Sequence, residues 1–373
     1  MIGGINYGSV MVEQYYRAVA DEEVWRTLDG GAYNCNWTRV DSGKCYGSTK
    51  CAARIGSWDG STPAVSYTYP YNMFPQRVLF TAAIDRRDGR DIMYVIGGCG
   101  MMGPGLMNDG CYYGGTWIYD DVWISYDQGQ RWTKVTTQGS AAAGTFWSAR
   151  HSLTSVVDSR GYLYIIGGSK QYDGAPSSNY AFSEVWVSKD YGVSWTLVST
   201  GSVAAGTMWS ARSGHGSVID SNDRIYVIGG NIDTDQTLGC CGWVASQTNE
   251  VWRSDNYGET WALVSVSSRE QTLDFNLFRP RFFHSVSIDC DDNIYVVGGY
   301  GYYLEGSTTN VRSREIWRSQ DGGGKQSQCF LAHVCVRVCV RVCCSRFASL
   351  LILLVLTFSF SLLLYYQPTQ YTG

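Results

Sequence analysis

Short, almost wholly apolar runs recur along the chain, each closed by two glycines: YVIGG at Tyr94–Gly98, YIIGG at Tyr164–Gly168, YVIGG at Tyr226–Gly230 and YVVGG at Tyr295–Gly299. Runs this short, rich in β-branched and aromatic residues and ended by turn formers, predict strands. They return about every 62 to 70 residues, a period that marks a repeat architecture. A second strand follows each run, written DDVWIS, SEVWVS, NEVWRS and REIWRS, and carries Trp123, Trp186, Trp252 or Trp317. Next comes S-x-D-x-G-x-x-W, a predicted tight hairpin: Ser125, Asp127, Gly129 and Trp132; Ser188, Asp190, Gly192 and Trp195; Ser254, Asn256, Gly258 and Trp261. Ser and Asp oxygens cap turn amides, Gly supplies a positive φ, and Trp covers the sheet. A third strand starts at that Trp. A fourth is marked by Arg150 with His151, Arg212 with His215, and Arg281 with His284, and an acidic turn leads to the next diglycine run.

Four antiparallel strands per unit, repeated about an axis, make a propeller blade. The expected fold is all-β: a β-propeller of four-stranded antiparallel blades over residues 1–323, with about five units and both ends inside a blade. Met1–Gly4 reads as the end of a diglycine strand, EVWRTLDGG from Glu23 as its second strand with a degenerate hairpin, and Asn34–Pro75 as an irregular insert. At the other end Ser319, Asp321 and Gly323 fit the hairpin, but Gln326 stands where the other copies have Trp, and the repeat is expected to break there. A closed five-bladed ring and a portion of a larger propeller both fit this count. Composition agrees, since 43 glycines and 27 tyrosines against 7 prolines suit tight turns between aromatic strands. A net charge of −4 with 17% charged residues excludes a disordered chain and offers no basic surface for nucleic acid.

The double glycines, the later Trp and the Arg/His pair resemble Kelch repeats, and S-x-D-x-G-x-x-W resembles the Asp-box of sialidase-type propellers. The likeness covers nearly all of residues 1–323, in units longer than a usual Kelch repeat. It implies a propeller, and it brings two chemistries to weigh. A sialidase needs an arginine cluster, a Tyr nucleophile paired with Glu, and an acid, and no Tyr/Glu pair stands out. The FRP at Phe278–Pro280 fills the slot occupied elsewhere by WSAR. A galactose-oxidase-type copper site needs Tyr and His ligands, and the chain has four histidines. His151, His215 and His284 read as equivalent positions, for which a structural hydrogen bond is preferred over a metal. No phosphate loop, HExxH or nucleophile elbow occurs. No catalytic residue, cofactor or metal is assigned.

Residues 324–373 differ from the rest: the body carries −8 and the tail +4. The uncharged run 347–366 predicts a transmembrane helix, with Arg337, Arg341 and Arg346 placing the body in the cytosol. The competing expectation is a retained intron, since Gly324–Lys325 fits a GGTAAG splice donor, VCVRVCVRVC a GT-rich tract and the Leu/Phe/Ser run a pyrimidine-rich acceptor. Eight body cysteines suit disulfides in an oxidising compartment, although the N-terminus lacks a signal-peptide pattern. Localisation is thus single-pass membrane if the tail is translated, and otherwise extracellular or cytosolic.

Strand parity sorts the connections. Hairpins and acidic turns, uniform between copies, fall on one face and read as scaffold. The links after the diglycines, which vary in length and content, fall on the other, where recognition is expected. Their aromatics, Tyr112, Tyr113, Trp117, Tyr172, Tyr180, Trp243, Tyr300, Tyr302 and Tyr303, are the candidate binding residues, for a protein or carbohydrate partner.

Overall fold

The computed structural model describes residues 2–6, 19–26, 38–39, 74, 77–87, 91–100, 117–171, 179–232, 247–265, 277–302 and 310–328. The chain is all-β, with no α-helix among the described residues. Four sheets follow one another along it, each of four antiparallel strands. The first holds Thr81–Asp85, Ile92–Ile96, Val122–Ser125 and Thr133–Lys134. The second holds Thr154–Val157, Leu163–Ile166, Val185–Ser188 and Thr196–Leu197. The third runs from Gly216–Ile219 through Ile225–Ile228 and Val251–Ser254 to Ala262–Ser265. The fourth runs from Ser285–Ile288 through Ile294–Val297 and Ile316–Ser319 to Gln326–Gln328. The leading strands of successive sheets pack side by side in chain order. Hydroxyl pairs join them, Thr81 to Ser155 at 2.7 Å and Thr154 to Ser217 at 2.7 Å. Sheets that meet along their first strands in this way are the blades of a β-propeller. Ile2–Asn6, Val19–Arg26 and Thr38–Arg39 form a further three-stranded sheet.

Units counted from the diglycine strand are offset by one strand from these sheets. The strand that follows each Arg, expected to end a blade, instead pairs with the diglycine strand after it and opens the next blade. The acidic turn between them is a hairpin inside a blade, because a short turn favours local antiparallel pairing over a crossing to the next sheet. Shifting every boundary by one strand leaves the faces unchanged. Ser159 donates to Asp223 at 2.6 Å and Ser221 to Asp292 at 2.6 Å, linking successive acidic turns. The Arg160 guanidinium of one acidic turn lies 3.8 Å from the Tyr257 ring of the next hairpin, so both turn types share a face.

The apolar runs lack alternation because both sides of each blade are covered. Leu163, Ile165, Trp186 and Trp195 of the second blade pack with Tyr94, Ile96 and Val122 of the first. Their neighbours Tyr164, Ile166, Val185 and Val187 pack with Trp209, Trp252 and Trp261 of the third. Each diglycine lies at positive φ, for example 57° and 95° at Gly167 and Gly168. A Cβ at Gly168 would sit 2.9 Å from Leu153 Cβ, so the blades close only where no side chain is present.

The hairpins are built alike. Ser188 Oγ accepts the Gly192 N–H at 2.8 Å, Asp190 accepts the Ser194 N–H at 2.8 Å, and the Trp195 indole donates to the Gly192 carbonyl at 3.0 Å. The sets at Ser125, Asp127, Gly129 and Trp132 and at Ser254, Asn256, Gly258 and Trp261 repeat these bonds. The expected break at Gln326 does not occur: Ser319 and Asp321 cap Gly323 and Lys325, and the Gln326 amide donates to the Gly323 carbonyl at 3.2 Å in place of an indole. An amide reaches the same acceptor, and Gln326–Gln328 pairs as the blade's outer strand, past residue 323. Of the insert 34–75, only Thr38–Arg39 and Phe74 are described. No helix among the described residues is long and apolar enough to cross a membrane, and the predicted span 347–366 lies outside them.

Candidate recognition face

Two-stranded stems flank three of the variable links. Cys99–Gly100 pairs with Trp117–Ile118, Ser169–Gln171 with Asn179–Ala181, and Tyr300–Tyr302 with Asn310–Arg312. In the third blade Asn231–Ile232 pairs instead with Arg212–Ser213. Cys99, at the base of the first stem, is disulfide-bonded.

Beneath the stems each blade carries the same latch. An arginine ahead of the first strand donates to the first glycine's carbonyl and to a carboxylate two residues before the Trp. Arg150 reaches Gly167 O at 3.1 Å and Glu184 at 2.7 Å, and Arg212 reaches Gly229 O at 3.0 Å and Glu250 at 2.6 Å. Arg281 pairs with Glu315 at 2.6 Å, and Arg77 with Asp121 at 2.7 Å. The same carboxylates accept the indole N–H of Trp123, Trp186, Trp252 and Trp317. The latch also crosses blades, for the arginine's own carbonyl accepts the second glycine's N–H of the preceding blade: Gly98 to Arg150 at 2.9 Å, Gly168 to Arg212 at 3.0 Å and Gly230 to Arg281 at 2.9 Å. Burial lowers the pKa of Arg150 and Arg212, while Glu184 and Glu250 pull it back up. Burial pushes Glu315 up, but hydrogen bonds from Arg281 and Trp317 outweigh it and hold the carboxyl below its ordinary value. The Arg150 guanidinium lies 3.8 Å from the Phe182 ring centre and that of Arg77 4.3 Å from the Tyr119 ring centre. The arginines are thus committed one per blade, rather than gathered as a cluster for a ligand carboxylate.

Two positions beyond each arginine the backbone turns left-handed, at Leu79, Ser152, Gly214 and Phe283. That conformation aims the N–H at the preceding blade. Ser152 donates to Leu79 O at 2.7 Å, Gly214 to Ser152 O at 3.0 Å and Phe283 to Gly214 O at 2.7 Å. A belt of backbone bonds therefore runs from blade to blade, and three non-glycine residues hold a strained φ to make it.

The three histidines are not equivalent, contrary to expectation. His151 directly follows its arginine and pairs with Ser169 in the stem. His215 and His284 sit three positions after theirs, over Gly230 and Gly299, where the other blades have Leu153 and Phe80. The spacings R-H, R-S-G-H and R-F-F-H already differ in the sequence. Burial lowers the pKa of His151 to about 4 and of His215 and His284 to about 3. Among the described residues no group of His, Cys, Asp and Glu is placed to hold a metal ion.

The candidate aromatics divide three ways. Tyr300 is placed in full: half-buried at its stem, it packs 5.8 Å from Phe282, with Arg312 5.7 Å from its ring. Trp117, Tyr180 and Tyr302 are placed by backbone on stem strands. Tyr112, Tyr113, Tyr172, Trp243 and Tyr303 lie outside the described residues. Arg77, the belt and the four latch carboxylates escaped the sequence reading. The carboxylates were available as D/E-x-W in every copy, whereas Arg77 lacks the neighbouring His that marked its equivalents.

No protein family matches the chain, and neither does any curated protein. Solved structures resemble it in outline. A structure of YjhT aligns at 14% identity and TM-score 0.48, covering 79% of this chain and 75% of that one. A protein of unknown function from Dyadobacter fermentans aligns at 12% and 0.44, covering 87% and 75%. A copper-bound fungal alcohol oxidase of the AA5 family aligns at 15% and 0.35, covering 68% and 53%.

Proposed function

We propose that this chain is a non-enzymatic binding module, a Kelch-like propeller bearing Asp-box hairpins, that recognises a protein or glycan through the variable aromatic links on one face. The observation that carries this reading is the commitment of the repeated polar groups. Each latch arginine is buried and paired within its own blade, and the hairpin Ser and Asp side chains cap their own turns. What remains for a ligand is what varies: Trp117, Tyr180, Tyr300 and Tyr302 on the stems, and Tyr112, Tyr113, Tyr172, Trp243 and Tyr303 on the links beyond. Flat amphipathic rings stack on sugars and anchor protein partners at low entropic cost. The disulfide at Cys99 fits an oxidising compartment, where glycans and secreted partners are found. A glycan array and an affinity pull-down test the reading. Binding is expected, and it should fall at least tenfold in a Trp117→Ala, Tyr180→Ala, Tyr302→Ala triple variant that keeps the wild-type melting temperature. Turnover of fluorogenic sialosides, or hydrogen peroxide release from galactose, would overturn it in favour of a glycan-processing enzyme.

A further inference from the structure

We infer that the seams between the second and third blades and between the third and fourth are acid-sensitive, staying shut only while His215 and His284 are neutral. Three residues after Arg150, Arg212 and Arg281 a side chain enters the seam and rests on the first glycine of the preceding diglycine. A Cβ at Gly167 would lie 2.7 Å from His215 Cε1, and one at Gly229 2.7 Å from His284 Cε1. At the seam between the first and second blades the same slot holds Leu153, whose nearest methyl would lie 3.3 Å from a Cβ at Gly97. Two of these three seams therefore carry an ionisable group where the third carries a hydrocarbon.

Neither imidazole faces a free counter-charge, and only the Ile228 backbone favours the charged form of His284, a smaller effect than its burial. His215 Nε2 shares a hydrogen bond of 2.8 Å with Thr154 Oγ1, and its buried Nδ1 has no hydrogen-bond partner. The Trp209 ring packs 6.0 Å from His215, and the Phe278 ring 6.3 Å from His284. The charged groups acting on His215 are Arg212 and His284, and on His284 Arg281, all cationic or able to become so. The nearby carboxylates Glu250 and Glu315 are already bound to Arg212 and Arg281. A protonated ring must leave the seam to reach water. The latch bonds beside it, Gly168 N–H to Arg212 O and Gly230 N–H to Arg281 O, are then exposed. Burial keeps both folded pKa values near 3, below the ordinary 6.5. The closed state is therefore fully favoured above pH 6.5 and loses ground as pH falls from there toward 3. At pH 5, 1.5 units below the pKa of the exposed imidazole, each seam should open about thirtyfold more often than at neutral pH.

Amide hydrogen exchange of the full chain at pH 7.5 and 5, corrected for the intrinsic rate and read by mass spectrometry, tests this. Peptides containing Gly168 and Gly230 should lose protection about thirtyfold. A His215→Leu, His284→Leu variant, copying Leu153, should retain pH 7.5 levels of protection at pH 5. If that variant does not fold, His284→Phe alone, copying Phe80, should restore the Gly230 peptide and leave the Gly168 peptide acid-labile. No acid loss at these two peptides in the wild-type chain, or acid loss that persists in the histidine variants, would overturn the inference. So would NMR titration of His215 and His284 near 6.5 with both seams still protected.

Discussion

Removing one carboxylate from a latch, by Glu250→Ala, isolates what the constant residues contribute. Arg212 is wholly buried and donates to Glu250 at 2.6 Å, and the Trp252 indole donates to the same oxygen at 2.9 Å. Deleting one partner of a buried ion pair costs about 3–5 kcal/mol, mainly because the other charge is left without compensation. Glu250 keeps 19% of its side chain exposed, so water can reach the vacated site, and we expect the lower end, about 3 kcal/mol. Glu250→Gln keeps an acceptor for the indole and loses the charge, and it should cost about 2 kcal/mol. The assay is urea denaturation followed by tryptophan fluorescence and far-UV circular dichroism, with coincident transitions licensing a two-state free energy. Replacing both partners, Arg212→Met with Glu250→Leu, should be milder than Glu250→Ala alone, because the burden is the stranded charge. A loss under about 1 kcal/mol for Glu250→Ala, or a double variant worse than the single, would refute the reasoning.

The other predictions concern packing and backbone. Trp195→Ala removes an indole that is edge-on to Trp147 at 6.0 Å and donates to Gly192 O, and it should cost about 3–5 kcal/mol in the same denaturation assay. Gly167→Ala puts a Cβ at a φ of 57°, 2.7 Å from His215 Cε1, and should lower stability by about 1–3 kcal/mol. Gln326→Trp restores the indole present in the sister hairpins, facing an apolar gap lined by Ile228, Val251, Phe278, Ile294, Val296 and Trp317. It should raise the melting temperature by roughly 2–4 °C, equivalent to about 1–2 kcal/mol.

Much of this architecture was legible because each copy of the repeat controls for the others. The diglycines and the Ser, Asp, Gly and Trp of the hairpins recur in register, and each marks a backbone requirement that few other residues meet. The strand offset was hidden because the first strands, TAAID, TSVV, GSVI and SVSI, are short and share no residue pattern as plain as YVIGG. Parity survived the error, since moving every blade boundary by one strand exchanges no connection between faces. The belt at Leu79, Ser152, Gly214 and Phe283 was invisible for a different reason. It is made by backbone groups, and only Gly214 announces a left-handed φ in its side chain. His151 was misplaced by its proximity to Arg150, because adjacency in sequence does not fix strand register. Tyr300 shows that a loop aromatic can also serve its own stem, through Phe282 and Arg312.

In a propeller the first strands lie side by side around an axis, as those of Thr154 and Ser217 do, with Oγ1 and Oγ 2.7 Å apart. Non-reducing peptide mapping of a Thr154→Cys, Ser217→Cys variant after mild oxidation measures this most directly. A disulfide joining those two positions, formed without loss of the native fold, is the predicted result. Two thiols that stay reduced, or that pair only with native cysteines while the protein remains folded, would contradict it.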